Sequence, residues 1–376
     1  MKNKGYLEEF KNGFFELLRQ TLNYDEFLRI LKGNYWLLGK EWLADAIPWR
    51  ELKEYQIKPV NIHMLSDAMG LLVTSFELIP SGIITFSLLK KDDRWYIDWQ
   101  NREVWLLATD KWNRKNEGNL EVRFFRTFGE DKIDSIFQEL HRINEWIQRE
   151  LGSNQEKLVI VFGFDSFEYF ISGTGNKPSG SGGNSRGKLI LMCENFPSLR
   201  STSFECSYYK SILLHEMVHE YTCYDKQWNG SIENMSLKSS MASEGIALYY
   251  QFKFLMENID YTQLDNEDPI IIKIRSGIME ALTYRDQVLE FFSNQIFTDM
   301  NRKNPESWNP SYFLGASLYS YFLQKFGFEN TRSMYSQVGN MDFEVAKLYL
   351  EDFFNKEEYL TSSRDYFDNM LDKLHL

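Results

Sequence analysis

The stretch His215-Glu216-Met217-Val218-His219 carries the residues best placed to do chemistry: two imidazoles four positions apart, with a carboxylate beside the first. On a helix, side chains at i and i+4 stand one above the other on one face. Two ring nitrogens so placed can reach a single tetrahedral Zn²⁺ at roughly 2.0–2.1 Å each. Glu216 projects near that face without being forced onto the ion, so it can act as base on a metal-bound water. The chain has only 5 His among 376 residues. Chance then gives His, acid, any two, His about 0.01 times per chain.

The elements that must hold these groups are legible around them. Tyr208 to Tyr224 contains no Gly or Pro and carries Ile212, Leu213, Leu214, Met217 and Val218, which reads as a mostly buried helix. A second apolar helix is expected over Ser240 to Met256, with Glu244 at or near its start. Gly245 and Ala247 are small and would let that helix come close to the first. Glu220 follows His219 directly, about 100° around the helix, and is expected to be solvated.

The motif is the H-E-x-x-H signature of zinc metallopeptidases. Together with Glu244-Gly245-Ile246-Ala247 it resembles the gluzincins, in which a Glu on the next active-site helix completes the metal site. The resemblance covers roughly residues 118–376. It implies zinc held by His215, His219 and Glu244, with Glu216 as general base in peptide-bond hydrolysis. A rival third ligand is Asp225, six positions after His219, where the metzincin-like pattern puts one. That pattern needs a Gly at the position held here by Thr222. The chain also departs from thermolysin, which carries an Asp four residues after its ligand Glu to orient a zinc-bound His. Leu248 stands there, so that support must come from elsewhere.

Peptide hydrolysis also needs a donor for the developing oxyanion. After His219 the next His is His375, one residue from the end. The aminopeptidase branch uses a Tyr in a Y-x-x-G context, and Tyr312-Phe313-Leu314-Gly315 resembles it. Tyr312 is therefore the candidate donor, against the alternative of a core tyrosine among 21. Met192-Cys193-Glu194-Asn195 is similar to the G-x-M-E-N motif of those enzymes, but Cys193 interrupts it and the Gly is displaced. We read it as coincidence.

Upstream, Lys157 to Gly163 reads as a buried strand, and Asp165 with Glu168 as a capping box. Residues 172–187 hold six Gly and read as a flexible loop without the spacing of a nucleotide-binding one. In gluzincins the last strand before the motif helix is an edge strand above the zinc that pairs with peptide substrate. Residues 188–193 are expected to fill that role. Leu120, Val122 and Phe124 begin another strand. Ile133, Ile136, Phe137, Leu140, Ile143, Ile147 and Leu151 form an amphipathic helix ending at Gly152. After Glu244 the chain reads as helical to the end, with Pro269 opening one helix.

The expected class is α+β. A small N-terminal domain (1–112) of helices plus antiparallel sheet precedes a gluzincin-like domain (118–376) with a mostly helical C-terminal lobe. Helices are expected over 6–38. Residues 84–88 and 95–99 alternate about a polar turn and read as a hairpin. This N-terminal pattern weakly resembles the nuclear-transport-factor or SnoaL-like cone, which would position substrate or serve as an accessory packing domain. The break is placed at the polar stretch 113–119, read as flexible.

Net charge is −12 without long acidic runs, which argues against nucleic acid or an anionic membrane as partner. There is no apolar run of transmembrane length and no visible signal peptide. Cys193, Cys206 and Cys223 make no disulfide framework, and cytoplasmic localisation is the expectation. Two functions follow as alternatives. One is a zinc peptidase acting on peptide or protein substrates. The other is a catalytically silent, peptidase-like module that binds a peptide or ligand. The filled metal and base positions argue for the first.

Overall fold

The structure is a computed structural model. It describes residues 58–64, 66–75, 83–91, 94–97, 106–107, 109–110, 112–124, 130–152, 158–164, 183–185, 189–193, 207–224, 240–258, 269–290, 310–339, 341 and 343–373. The helices expected over 6–38, the Asp165–Glu168 cap, Glu194, Cys206, Asp225 and His375 lie outside these residues. The class is α+β. The chain divides into two compact units, one of Met1–Asn116, Glu121–Ile133 and Val159–Phe196, the other of Glu117–Leu120, Asp134–Leu158 and Pro197–Leu376.

In the first unit, β1 (Lys58–Met64), β2 (Met69–Ser75), β3 (Ile83–Lys91) and β4 (Arg94–Ile97) pair in chain order as an antiparallel sheet. Leu88 lies opposite Ile97 and Lys91 opposite Arg94, so the expected hairpin is present and two more strands extend it. A second sheet takes β5 (Asn113–Glu117), β6 (Leu120–Phe124), β7 (Leu158–Phe164), β8 (Gly183–Ser185) and β9 (Leu189–Cys193), in the order β5-β6-β7-β9-β8.

Two expectations change here. Residues 113–119 are not a flexible linker: they form β5 and a turn into β6. Their polar composition reflects an exposed strand at the rim of a sheet, where charged side chains face water. Nor is β9 an edge strand. It pairs with β7 in parallel and with β8 antiparallel, Gly183 opposite Met192 and Ser185 opposite Ile190. Strand β8, from the end of the Gly-rich stretch, takes the side of β9 that would otherwise be the edge.

The second unit is built of helices, and no strand follows Ser240 among the described residues. Its helices are α1 (Glu130–Leu151, whose first residues belong to the other unit), α2 (Ser207–Tyr224), α3 (Ser240–Asn258), α4 (Pro269–Tyr284), α5 (Pro310–Gly339), α6 (Phe343–Glu351) and α7 (Lys356–Lys373). The apolar stripe of α1 is buried as its spacing demands, with Leu140, Ile143, Ile147 and Leu151 at 0 % exposure. Trp146 packs edge-on against Phe254 of α3 at 5.1 Å, and its indole N–H donates to Glu257 at 3.1 Å. Lys253 pairs with Glu150 across the same two helices.

Helix α5 is interrupted at Gly327, whose φ of +75° and ψ of 170° no helix accommodates. A residue without Cβ reaches that conformation at little cost, so the chain breaks where the glycine falls. Among the described residues no helix is long and apolar enough to cross a membrane.

Candidate metal centre

Helix α2 runs without Gly or Pro and is buried on almost every side. Leu213, Leu214, Met217, Val218 and Tyr221 are fully buried, and Glu220 is too. The expected solvation of Glu220 is therefore wrong. Rotation of about 100° from His219 still points into protein, because the described residues on that side of the helix are buried. The far side of α2 is pinned by a polar cluster. The Tyr221 hydroxyl donates to Asn144 at 2.5 Å and accepts from Asn119 at 3.0 Å and Gln148 at 2.9 Å, while Asn144 donates to Asn119 at 2.8 Å. Those bonds tie α2 to α1 and to the turn after β5, which fixes its rotation about its own axis.

That rotation presents His215 and His219 together. Their rings meet edge-on at 4.8 Å, and their Nε2 atoms stand 3.1 Å apart. From α3, Glu244 brings Oε2 to 2.9 Å from the Nε2 of His215 and 3.6 Å from that of His219. Ligand atoms of all three residues lie within 4.8 Å of one another and could hold a metal ion. A tetrahedral zinc with bonds of 2.0–2.1 Å has donor-to-donor edges of about 3.3–3.4 Å. The three separations straddle that edge. Two imidazole nitrogens and a carboxylate oxygen aimed at one point also need positive charge between them, whether protons or a cation.

The electrostatics agree. Burial disfavours the charged form of Glu244, yet His219 and His215 outweigh it and hold the carboxyl well below the usual range. Burial likewise disfavours protonation of His219, but Glu244, Glu216 and Glu220 together raise its pKa above the ordinary value. The pocket is negative enough to favour a cation. It is not sealed, since the Glu244 side chain keeps 23 % of its exposure and that of His219 13 %. The cluster therefore reaches solvent on one side.

Glu216 is 8 % exposed and lies close enough to act on both His219 and Tyr312. Tyr312 sits in the first turn of α5. Burial first, and then the Glu244 and Glu216 carboxylates, push its phenol well above its ordinary pKa, so it remains an O–H donor. The structure thus brings four of the five sequence-derived residues onto α2 and α3 and the fifth within their field.

The place of Gly245 differs from expectation. Gly245 does not face α2. A Cβ there would stand 2.6 Å from the Cα of Gly315, and one on Gly315 would run into the Met241 carbonyl oxygen. Helices α3 and α5 cross backbone to backbone at these two glycines. Gly245 follows Glu244 directly and Gly315 lies three positions after Tyr312, so the crossing sets the distance between carboxylate and phenol. Phe252 packs on Phe313 at 5.8 Å, and the hydroxyls of Tyr250 and Tyr319 meet at 3.1 Å, further along the same seam.

One residue at the site is not evident from the sequence. Leu248 offers nothing to the histidines, but Gln251 places Oε1 3.1 Å from Nδ1 of His215. Seven positions after Glu244, it shares that face of α3 two turns on. The available signal was a polar side chain at i+7 within an otherwise apolar run. No protein-family model matches the chain, and no curated protein matches it in sequence.

Proposed function

We propose that the protein is a zinc-dependent peptidase of gluzincin type, with His215, His219 and Glu244 as the metal ligands and peptides or proteins as substrates. The observation that carries this reading is the convergence of the His215, His219 and Glu244 ligand atoms at zinc-like spacing, with Glu216 alongside. When bound, zinc supplies Lewis acidity: it polarises a carbonyl and acidifies water.

The chain's own residues supply the rest. Glu216 accepts the proton of the attacking water and returns it to the leaving amine. Its largely buried place on the same helix turn as the two histidines puts a carboxylate where that shuttle needs one. Tyr312 donates its O–H to the oxygen that becomes negative, and its high pKa means it donates without ionising. Partial exposure of Glu244 and His219 leaves a side from which an extended peptide can enter.

The test is zinc content of the purified protein, followed by digestion of a mixed peptide library, free and blocked at the N-terminus, with and without chelator. One zinc per chain and chelator-sensitive hydrolysis are expected. Glu216→Gln should keep the zinc and lose turnover about 10²–10⁴-fold. A metal-free protein that still binds peptide would instead identify a silent binding module.

A further inference from the structure

An imidazole offers the Nε2 lone pair to a cation only when the ring proton sits on Nδ1. For His215 the acceptor within reach of that nitrogen is Oε1 of Gln251, 3.1 Å away. Gln251 is 1 % exposed, in a helix whose neighbouring buried positions are apolar. A primary amide so deeply buried is costly unless its polar atoms are used.

From this contact we propose that Gln251 is the positioning residue of the metal centre. Its side-chain carbonyl accepts the Nδ1–H of His215 and so fixes the tautomer and ring plane that present Nε2 to the site. This rests on the zinc-peptidase reading above. The choice of an amide has its own consequence. A carboxylate in this position would add negative charge and raise the basicity of the histidine. The amide orients the ring and adds none. A divalent ion held by two neutral imidazoles and one carboxylate then keeps a unit of positive charge to act on substrate. Glu244 and Gln251 thereby make α3 a two-residue ruler, one group facing the ion and the other facing the far nitrogen of its ligand.

The experiment compares the full-length wild type with Gln251→Met, which keeps the length and loses the acceptor, and with Gln251→Glu, which keeps an acceptor. Zinc affinity is measured by competition with a chromophoric chelator. Melting is measured on the zinc-free proteins. Nitrogen NMR of the zinc-loaded forms follows the His215 Nδ1 proton. Gln251→Met is expected to weaken zinc about 10–100-fold and to let the Nδ1 proton exchange rapidly. Gln251→Glu is expected to bind zinc at least as tightly as the wild type and to keep that proton protected. A purely structural glutamine predicts something else: both variants melt lower, and zinc affinity follows melting temperature. That pattern, or a Gln251→Met protein with wild-type zinc affinity, overturns the proposal while leaving the peptidase reading intact. A wild type that takes up no zinc overturns both.

Discussion

Helix α3 has two seams, and they are built on opposite principles. Toward α2 it presents Glu244 and Gln251, which meet His215 through hydrogen-bonding atoms at 2.9 and 3.1 Å. Toward α5 it presents Gly245, Tyr250 and Phe252, which meet Gly315, Tyr319 and Phe313 through backbone contact and rings. The first seam is polar, partly open and built around a shared point. The second is close-packed, with Phe252, Phe313 and Tyr319 fully buried. The difference teaches a division of labour. The apolar seam sets where the helices lie, and in the proposed peptidase the polar seam uses that placement for chemistry. Damage to one should therefore read out differently from damage to the other.

The largest effect is expected at the glycine crossing. Gly315→Ala drives a methyl into the Met241 carbonyl, and neither backbone has a flexible end that can move aside. Ordinary overpacking costs about 1–3 kcal/mol, and a backbone collision should exceed that range. Thermal melting of Gly315→Ala and Gly245→Ala should show loss of cooperative folding or a steep fall in Tm. A protein that melts like the wild type would show that the helices are free to separate, and the division above would fail.

Next in size is Tyr312→Phe. The ring keeps its packing, and only the O–H is lost. Removing one oxyanion donor lowers kcat about 10²–10³-fold. Zinc content should stay unchanged, since no ligand is touched. If kcat/KM on peptides stays within a factor of three, Tyr312 is a core tyrosine and the seam at α5 has no part in the chemistry.

What could be read from the sequence follows the same division. His215 and His219 were legible because one helical period encodes their convergence. Glu244 lies on another helix, and nothing in spacing alone joins it to them; only the resemblance does. Gln251 is not legible from spacing because the pattern points to i+4, where Leu248 stands, whereas the His215 contact is made from i+7 on the same face. Glu220 runs against its type because a charged residue is usually solvated, and the packing that buries it is a tertiary fact. The apolar stripe of α1 declared itself through its period. Strand β8 could not, since Gly183-Asn184-Ser185 has no alternation to recognise and is defined by its partner β9. The residues 113–119 misled for the converse reason: an exposed strand and a loop share the same polar composition.

On the zinc-peptidase reading, metal removal acts on the polar seam alone. An ion that binds the folded chain but not the unfolded one stabilises it by mass action, about 2.7 kcal/mol when free zinc is a hundred times Kd. Chelation should lower Tm by several degrees and leave the α3–α5 contacts in place. Differential scanning calorimetry with and without zinc measures it, and the shift should vanish in His219→Ala. A chelator-induced shift that persists in that variant would locate the stabilising metal elsewhere.

The smallest effect probes the hydroxyl pair within the apolar seam. Tyr250 and Tyr319 are 2 % and 0 % exposed, and burial raises the pKa of both, Tyr319 well above its ordinary value. Neither ionises near neutrality, so their bond is neutral and contributes about 1 kcal/mol. Tyr250→Phe removes one hydroxyl and takes a partner from the other, as does Tyr319→Phe. Each should cost about 1–2 kcal/mol. The double variant removes both polar groups, leaves neither stranded, and keeps the rings 5.9 Å apart. Its cost should therefore fall below the sum of the single costs, measured by denaturant unfolding. Zinc affinity should be the same in all four proteins. Costs that simply add would mean the hydroxyls act independently, and a parallel loss of zinc would mean that the two faces of α3 are one.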